Sequence, residues 1–122
     1  MKRFFPALAL VALVGCTSPV TDPAMIESCG PKPSQQIAEA VAAKAVSLMR
    51  LKDPESARIT EVTVESPMVW KGDPGGPWVG WQIGFYLNAK NSFGGYVGPQ
   101  RIIVLLRKDG TFRYRPADAW HP

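Results

Sequence analysis

The chain has 122 residues, room for one domain, with ordinary apolar and charged content and a formal charge of +4. Its 11 glycines and 12 prolines favour turns and connectors over long helices, and so small a positive charge gives no basis for nucleic-acid binding. The single histidine, His121, stands one residue from the C-terminus, so a zinc site of the usual His/Cys spacing is excluded and no cofactor is implied.

Met1-Lys2-Arg3 is a short basic start, Phe4–Val14 is an apolar run interrupted only by Pro6, and Gly15-Cys16 follows. A basic start, about ten apolar residues and a small residue at the boundary read as a secretory signal over residues 1–15. The run is shorter than the roughly 20 residues that a membrane span needs. Leu13-Val14-Gly15-Cys16 resembles the lipobox of bacterial lipoproteins. That resemblance implies cleavage before Cys16, a diacylglycerol on its sulfur and acylation of its amine by a palmitate-type chain. Thr17, rather than aspartate, follows the cysteine. By the same resemblance this places the protein on the inner leaflet of the outer membrane, facing the periplasm. Each buried methylene contributes about 0.8 kcal/mol, and two or more chains anchor stably where one does not.

Residues 16–33 carry Pro19, Pro23, Gly30, Pro31 and Pro33 without periodicity. They read as a lipidated N-terminus and flexible tether that would hold the domain about 20–25 Å from the lipid. Cys29 lies within this tether, and with Cys16 consumed by lipid it has no partner in its own chain. In an oxidising periplasm that leaves a disulfide to an envelope protein, a homodimer, a free thiol, or a cysteine of no consequence. A catalytic thiol is disfavoured because no base lies near it in sequence.

Residues 34–122 read as a single α+β domain. Ser34 is a fair N-cap, and Ile37, Val41, Ala45 and Leu48 share one helical face, widened by Ala38, Ala42, Val46 and Met49. This predicts a helix of about 18 residues, with its apolar stripe packed on a sheet in preference to a partner. Asp53-Pro54-Glu55-Ser56-Ala57 reads as a turn capped by the Asp53 carboxylate. The first strand is expected over Arg58–Glu65, followed by a proline-glycine loop over Ser66–Pro77 with Trp70 as a lid on the core.

Trp78–Leu87 alternates strictly, placing Val79, Trp81, Ile83, Phe85 and Leu87 on the core face. Gly80 and Gly84 thin the other face and mark bends or a close backbone approach. Arg101–Arg107 is apolar on both faces, as an interior strand is. Lys108-Asp109-Gly110-Thr111 is a tight turn with positive φ at Asp-Gly, leading to a charged edge strand over Phe112–Arg115. Trp120 in the tail is expected to fold back. The sum is one N-terminal helix packed on a four-stranded antiparallel sheet. Four tryptophans also permit glycan stacking.

The connection Asn88-Ala89-Lys90-Asn91-Ser92-Phe93-Gly94-Gly95-Tyr96-Val97-Gly98 is too specific for a generic hairpin loop. With the Asp53–Ala57 turn, it resembles a family of small exported bacterial proteins and lipoproteins without an established activity. The resemblance spans about Leu51–Gly98. Many members carry a Cys-Gly pair just before the loop, where this chain has Gly84-Phe85-Tyr86. Asn88, Asn91 and Ser92 can hold turns, Gly94-Gly95 can expose amides as an anion nest beside Lys90, and Phe93 and Tyr96 can dock on the sheet. The candidate contact residues are therefore Asn88, Lys90, Asn91, Ser92, Gly94, Gly95 and Tyr96. Ser92 has no neighbouring base and paired carboxylates are not evident, so catalysis is not expected. The reading is a non-catalytic outer-membrane lipoprotein that binds or scaffolds an envelope component. The alternative is a periplasmic module that takes an anion or glycan fragment on the 88–98 loop.

Overall fold

A computed structural model of the chain describes residues 17–72 and 76–117. The signal stretch, Cys16, the tip of the loop before Trp78, and the tail with Trp120 and His121 lie outside them. The strands are β1 (Thr17–Pro19), β2 (Arg58–Trp70), β3 (Trp78–Asn88), β4 (Gln100–Leu106) and β5 (Phe112–Pro116), with helices α1 (Pro23–Ser28) and α2 (Gln35–Ser47). The strands form one antiparallel sheet in the order β1-β2-β3-β4-β5. The architecture is thus α+β, and the four expected strands gain a fifth at the edge.

Side-chain alternation decides which face α2 covers. Ile83, Phe85 and Leu87 of β3 and Ile102 and Val104 of β4 meet Ala38, Ala42, Ala45 and Val46 in one core. The helical stripe is rotated from its expected centre. The alanines lie at its middle, letting the helix approach the sheet closely, while Ile37 and Leu48 flank it and are about half exposed. Ser34 caps α2 by accepting from the Ile37 amide. The helix ends earlier than expected, because the Leu48 and Met49 amides turn to the carbonyls of Ala45 and Val46 three residues back.

The region expected to be a tether is built structure instead. Thr17–Pro19 pairs with Met68–Trp70, and the Val20 amide donates to the Pro67 carbonyl at 3.1 Å. Asp22 caps α1 and Pro23 occupies its first turn, so prolines that suggested a linker start a helix. Cys29 closes α1 and is buried, and the Trp81 indole donates to the Gly30 carbonyl at 3.0 Å.

Strand β2 also runs past the expected stop at Glu65, through Pro67 to Trp70. Its register shifts between Thr60 and Thr63 and again between Val64 and Pro67. Proline is tolerated at such a bulge because no ladder amide is demanded there. Glu61 takes a positive φ of 56° at the first bulge, and Gln35 donates to the neighbouring Val62 carbonyl at 2.8 Å. The β4–β5 turn likewise differs from expectation. Only Gly110 has positive φ, and Asp109 accepts from the amide and hydroxyl of Thr111.

The sheet's other face carries Trp70, Ile103 and Leu105. A polar chain crosses it: the Trp70 indole donates to Gln82, Gln82 donates to Glu65, and Glu65 pairs with Arg101. Gly84 makes room for this pair, since a Cβ there would meet the Glu65 carboxylate. A Cβ on Gly80 would strike the Leu106 carbonyl. Both glycines therefore mark close approaches.

Candidate functional site

The 88–98 loop begins where β3 leaves the sheet and ends where β4 enters it. Asn91 organises its tip. Its side-chain oxygen accepts from the amides of Phe93 (2.9 Å) and Gly95 (3.2 Å). Its backbone accepts from Gly94 and donates to the Gly95 carbonyl. Lys90 and Tyr96 bridge as a one-step antiparallel pair, and the Val97 amide donates to Ala89. At the base, the Asn88 side chain accepts from Gly98, whose φ of +101° suits glycine.

The anion nest expected at Gly94-Gly95 is not formed. The amides that would face an anion donate inward to Asn91. A short asparagine side chain mimicking a backbone turn is favoured in such a loop. The same closure leaves the apolar members outside. Phe93 is 93% exposed and Val97 66% exposed, so Phe93 does not dock on the sheet as expected. Ser92 is exposed at the tip.

Ser56 braces the loop from below. The 3₁₀ turn Pro54–Ser56 is closed by its own backbone and by the Ser56 hydroxyl donating to the Asp53 carbonyl; the Asp53 carboxylate does not cap it. The Ser56 hydroxyl also accepts from the Lys90 amide at 2.9 Å, and its carbonyl accepts from the Tyr96 hydroxyl at 3.1 Å. Arg58 stacks over the Tyr96 ring at 4.2 Å, with Lys90 at 5.6 Å from the same centroid. The two stretches singled out in the sequence, the Asp53–Ala57 turn and the 88–98 loop, are thus one unit joined through Ser56. Pattern reading offered no signal for this link beyond their common presence.

Beside the unit opens a hollow of about 230 Å³, lined by Arg50, Leu51, Lys52, Lys90, Asn91 and Val97 among others. Arg50 and Lys52 are sites the sequence reading missed. They follow the end of α2, and only the chain's turn back at Leu51 sets them beside Lys90. Three cations around one hollow attract carboxylate or phosphate groups. Of the expected contact residues, Lys90 and Asn91 line the hollow, while Asn88, Gly94, Gly95 and Tyr96 shape the loop. Among the described residues, no three His, Cys, Asp or Glu side chains are grouped as a metal would require.

Cys29 lies away from this unit, at 2% exposure, where burial raises its thiol pKa above the ordinary value. Burial removes it from the surface that a disulfide to a partner requires. Set against protein-family models, curated proteins and solved structures, the chain matches none.

Proposed function

We propose that this chain is a lipid-anchored, non-catalytic component of the bacterial envelope. Cys16 fixes it to the outer membrane, and the 88–98 loop is its contact with an envelope partner. The observation that carries this reading is Phe93, 93% exposed at the tip of a loop whose Phe93, Gly94 and Gly95 amides are satisfied by Asn91. A braced loop holding an aromatic in water is arranged as a contact anchor, since large aromatics dominate interface energetics. Arg50, Lys52 and Lys90 beside it favour a partner with carboxylate or phosphate groups at the rim of an apolar socket.

The test is the size of the detergent-extracted protein on sedimentation. The wild type is expected to migrate as a complex, and Phe93→Asp with Val97→Asp as the free lipoprotein with unchanged circular dichroism. Ala43→Asp, on the exposed side of α2, serves as the control. Identical profiles for all three would contradict the reading.

A second reading is supported by the three cations alone: the hollow takes a small anion or an anionic glycan fragment. Lys90→Ala with Lys52→Ala would then abolish binding of that ligand and leave folding intact. Unchanged binding would remove it.

A further inference from the structure

The loop is one end of the sheet. The other end carries its own group of half-buried and exposed apolar and basic side chains, which the function above does not use. Trp78 opens β3 and is stacked by Arg107 at 4.3 Å and Arg113 at 4.2 Å. Met25 and Ile26 of α1 and Ile37 of α2 are exposed by a third to a half. Lys71 and Lys108 are exposed. A hollow of about 330 Å³ opens here between Trp81, Leu106, Ile37 and Val41, with Lys32 and Lys108 at its rim. The acids at this end, Asp22, Glu27 and Asp109, are outnumbered by Lys32, Lys71, Arg107, Lys108 and Arg113 among the described residues.

The register says where the anchor enters. Thr17 pairs with Trp70, and Trp70 with Trp78. Thr17 is covalently next to Cys16, so an acylated Cys16 leaves the domain at this end with no intervening tether. The ladder from Trp78 to Asn88 then extends roughly 33 Å away, at about 3.3 Å per residue. Both ends carry apolar and basic side chains, and covalent geometry decides between them.

We propose that the Trp78 end is a bilayer-docking face. It lies on the anionic phospholipid surface beside the Cys16 anchor and points the 88–98 loop away from the membrane. Trp78 with its stacked arginines, the exposed Met25, Ile26 and Ile37, and Lys71 and Lys108 have the composition of an interfacial surface: apolar groups that enter the headgroup boundary and cations that meet phosphate. This inference rests on lipidation at Cys16 and goes beyond it by fixing orientation.

The test uses the acylated full-length mature protein in vesicles of phosphatidylethanolamine with phosphatidylglycerol, containing a nitroxide-headgroup lipid. A fluorophore is placed on Lys108→Cys or on Phe93→Cys, Cys29 being buried and Cys16 acylated. Strong quenching at position 108 and little at 93 is expected. On the Lys108→Cys probe, Lys71→Glu with Lys32→Glu is expected to cut quenching to less than half, as does replacing phosphatidylglycerol by phosphatidylcholine. Equal quenching at both positions, or none at 108, in a protein whose mass shows acyl chains overturns the docking face and leaves the anchor standing. Quenching at 108 that is indifferent to lipid charge overturns the anionic-surface contact. A mass without acyl chains on Cys16 overturns the anchor and this inference together.

Discussion

One oxygen of Asn91 closes the tip of the 88–98 loop, and the consequences are local and measurable. Asn91→Ala removes the acceptor for two amides, whereas Asn91→Asp keeps it. Asn91→Ala is expected to cost about 1–2 kcal/mol of local stability, seen as faster hydrogen exchange at Phe93 and Gly95, with Asn91→Asp close to wild type. Equal exchange in all three would contradict the closure. Glycine positions separate in the same way. Gly80→Ala drives a Cβ into the Leu106 carbonyl, which cannot move without the sheet, and is expected to cost about 2–3 kcal/mol in urea unfolding. Gly84→Ala meets the ends of the Glu65 and Arg101 side chains rather than backbone; these can shift at the expense of the Gln82–Glu65 bond, so a smaller loss of about 1 kcal/mol is expected. The Gly80 and Gly84 approaches were legible in the alternation of β3. Asn91 was legible as a turn residue but not as the group that consumes the glycine amides, because that depends on which way the loop closes.

At the scale of elements, periodicity carried most of the fold. The two-sided apolar run of β4 and the Ser34 cap reappear as built, and of the five expected core residues of β3, Ile83, Phe85 and Leu87 join the core while Val79 and Trp81 stay half-buried outside it. The failures share a cause. Pro19, Pro23, Pro31 and Pro67 read as breakers, yet each stands where its missing amide is not needed: an edge strand, a first helical turn, a connection and a bulge. Long-range partners such as the Pro67 carbonyl and the Trp81 indole are what fix residues 17–33 in place. Cys29 reports on that segment. Burial raises its thiol pKa above the ordinary value, which favours the protonated form. The stability this contributes is complete below the ordinary thiol range and is lost as pH rises through the raised folded value. Maleimide labelling of Cys29 should therefore be slow in the native protein and fast in urea. Fast native labelling would show that α1 and its junction to Pro33 do not pack as described.

At the scale of the whole molecule, the proposed lipidation of Cys16 and the proposed contact at the 88–98 loop would make the strip of sheet between Thr17 and that loop a fixed-length spacer. Inserting a Gly/Ser linker between Cys16 and Thr17 should leave the unfolding midpoint unchanged and relax the orientation. The signature is weaker quenching of a probe at Lys108→Cys by headgroup nitroxide. A linker insertion that unfolds the domain would instead mean that β1 depends on the anchor. The sequence let an anchor be expected at Leu13–Cys16 and a contact at Asn88–Gly98. It did not reveal that Thr17 and the 88–98 loop stand at opposite ends of one ladder, since that follows from the pairing of Thr17 with Trp70 and of Arg58 with Asn88. Photo-crosslinking in living cells decides whether the 88–98 loop is a contact surface, with a photoreactive residue in place of Phe93 and, as control, of Ala43. One discrete adduct is expected from position 93, lost with Lys90→Glu, and none from position 43. An equal or empty pattern at both positions would contradict the 88–98 loop as the contact surface.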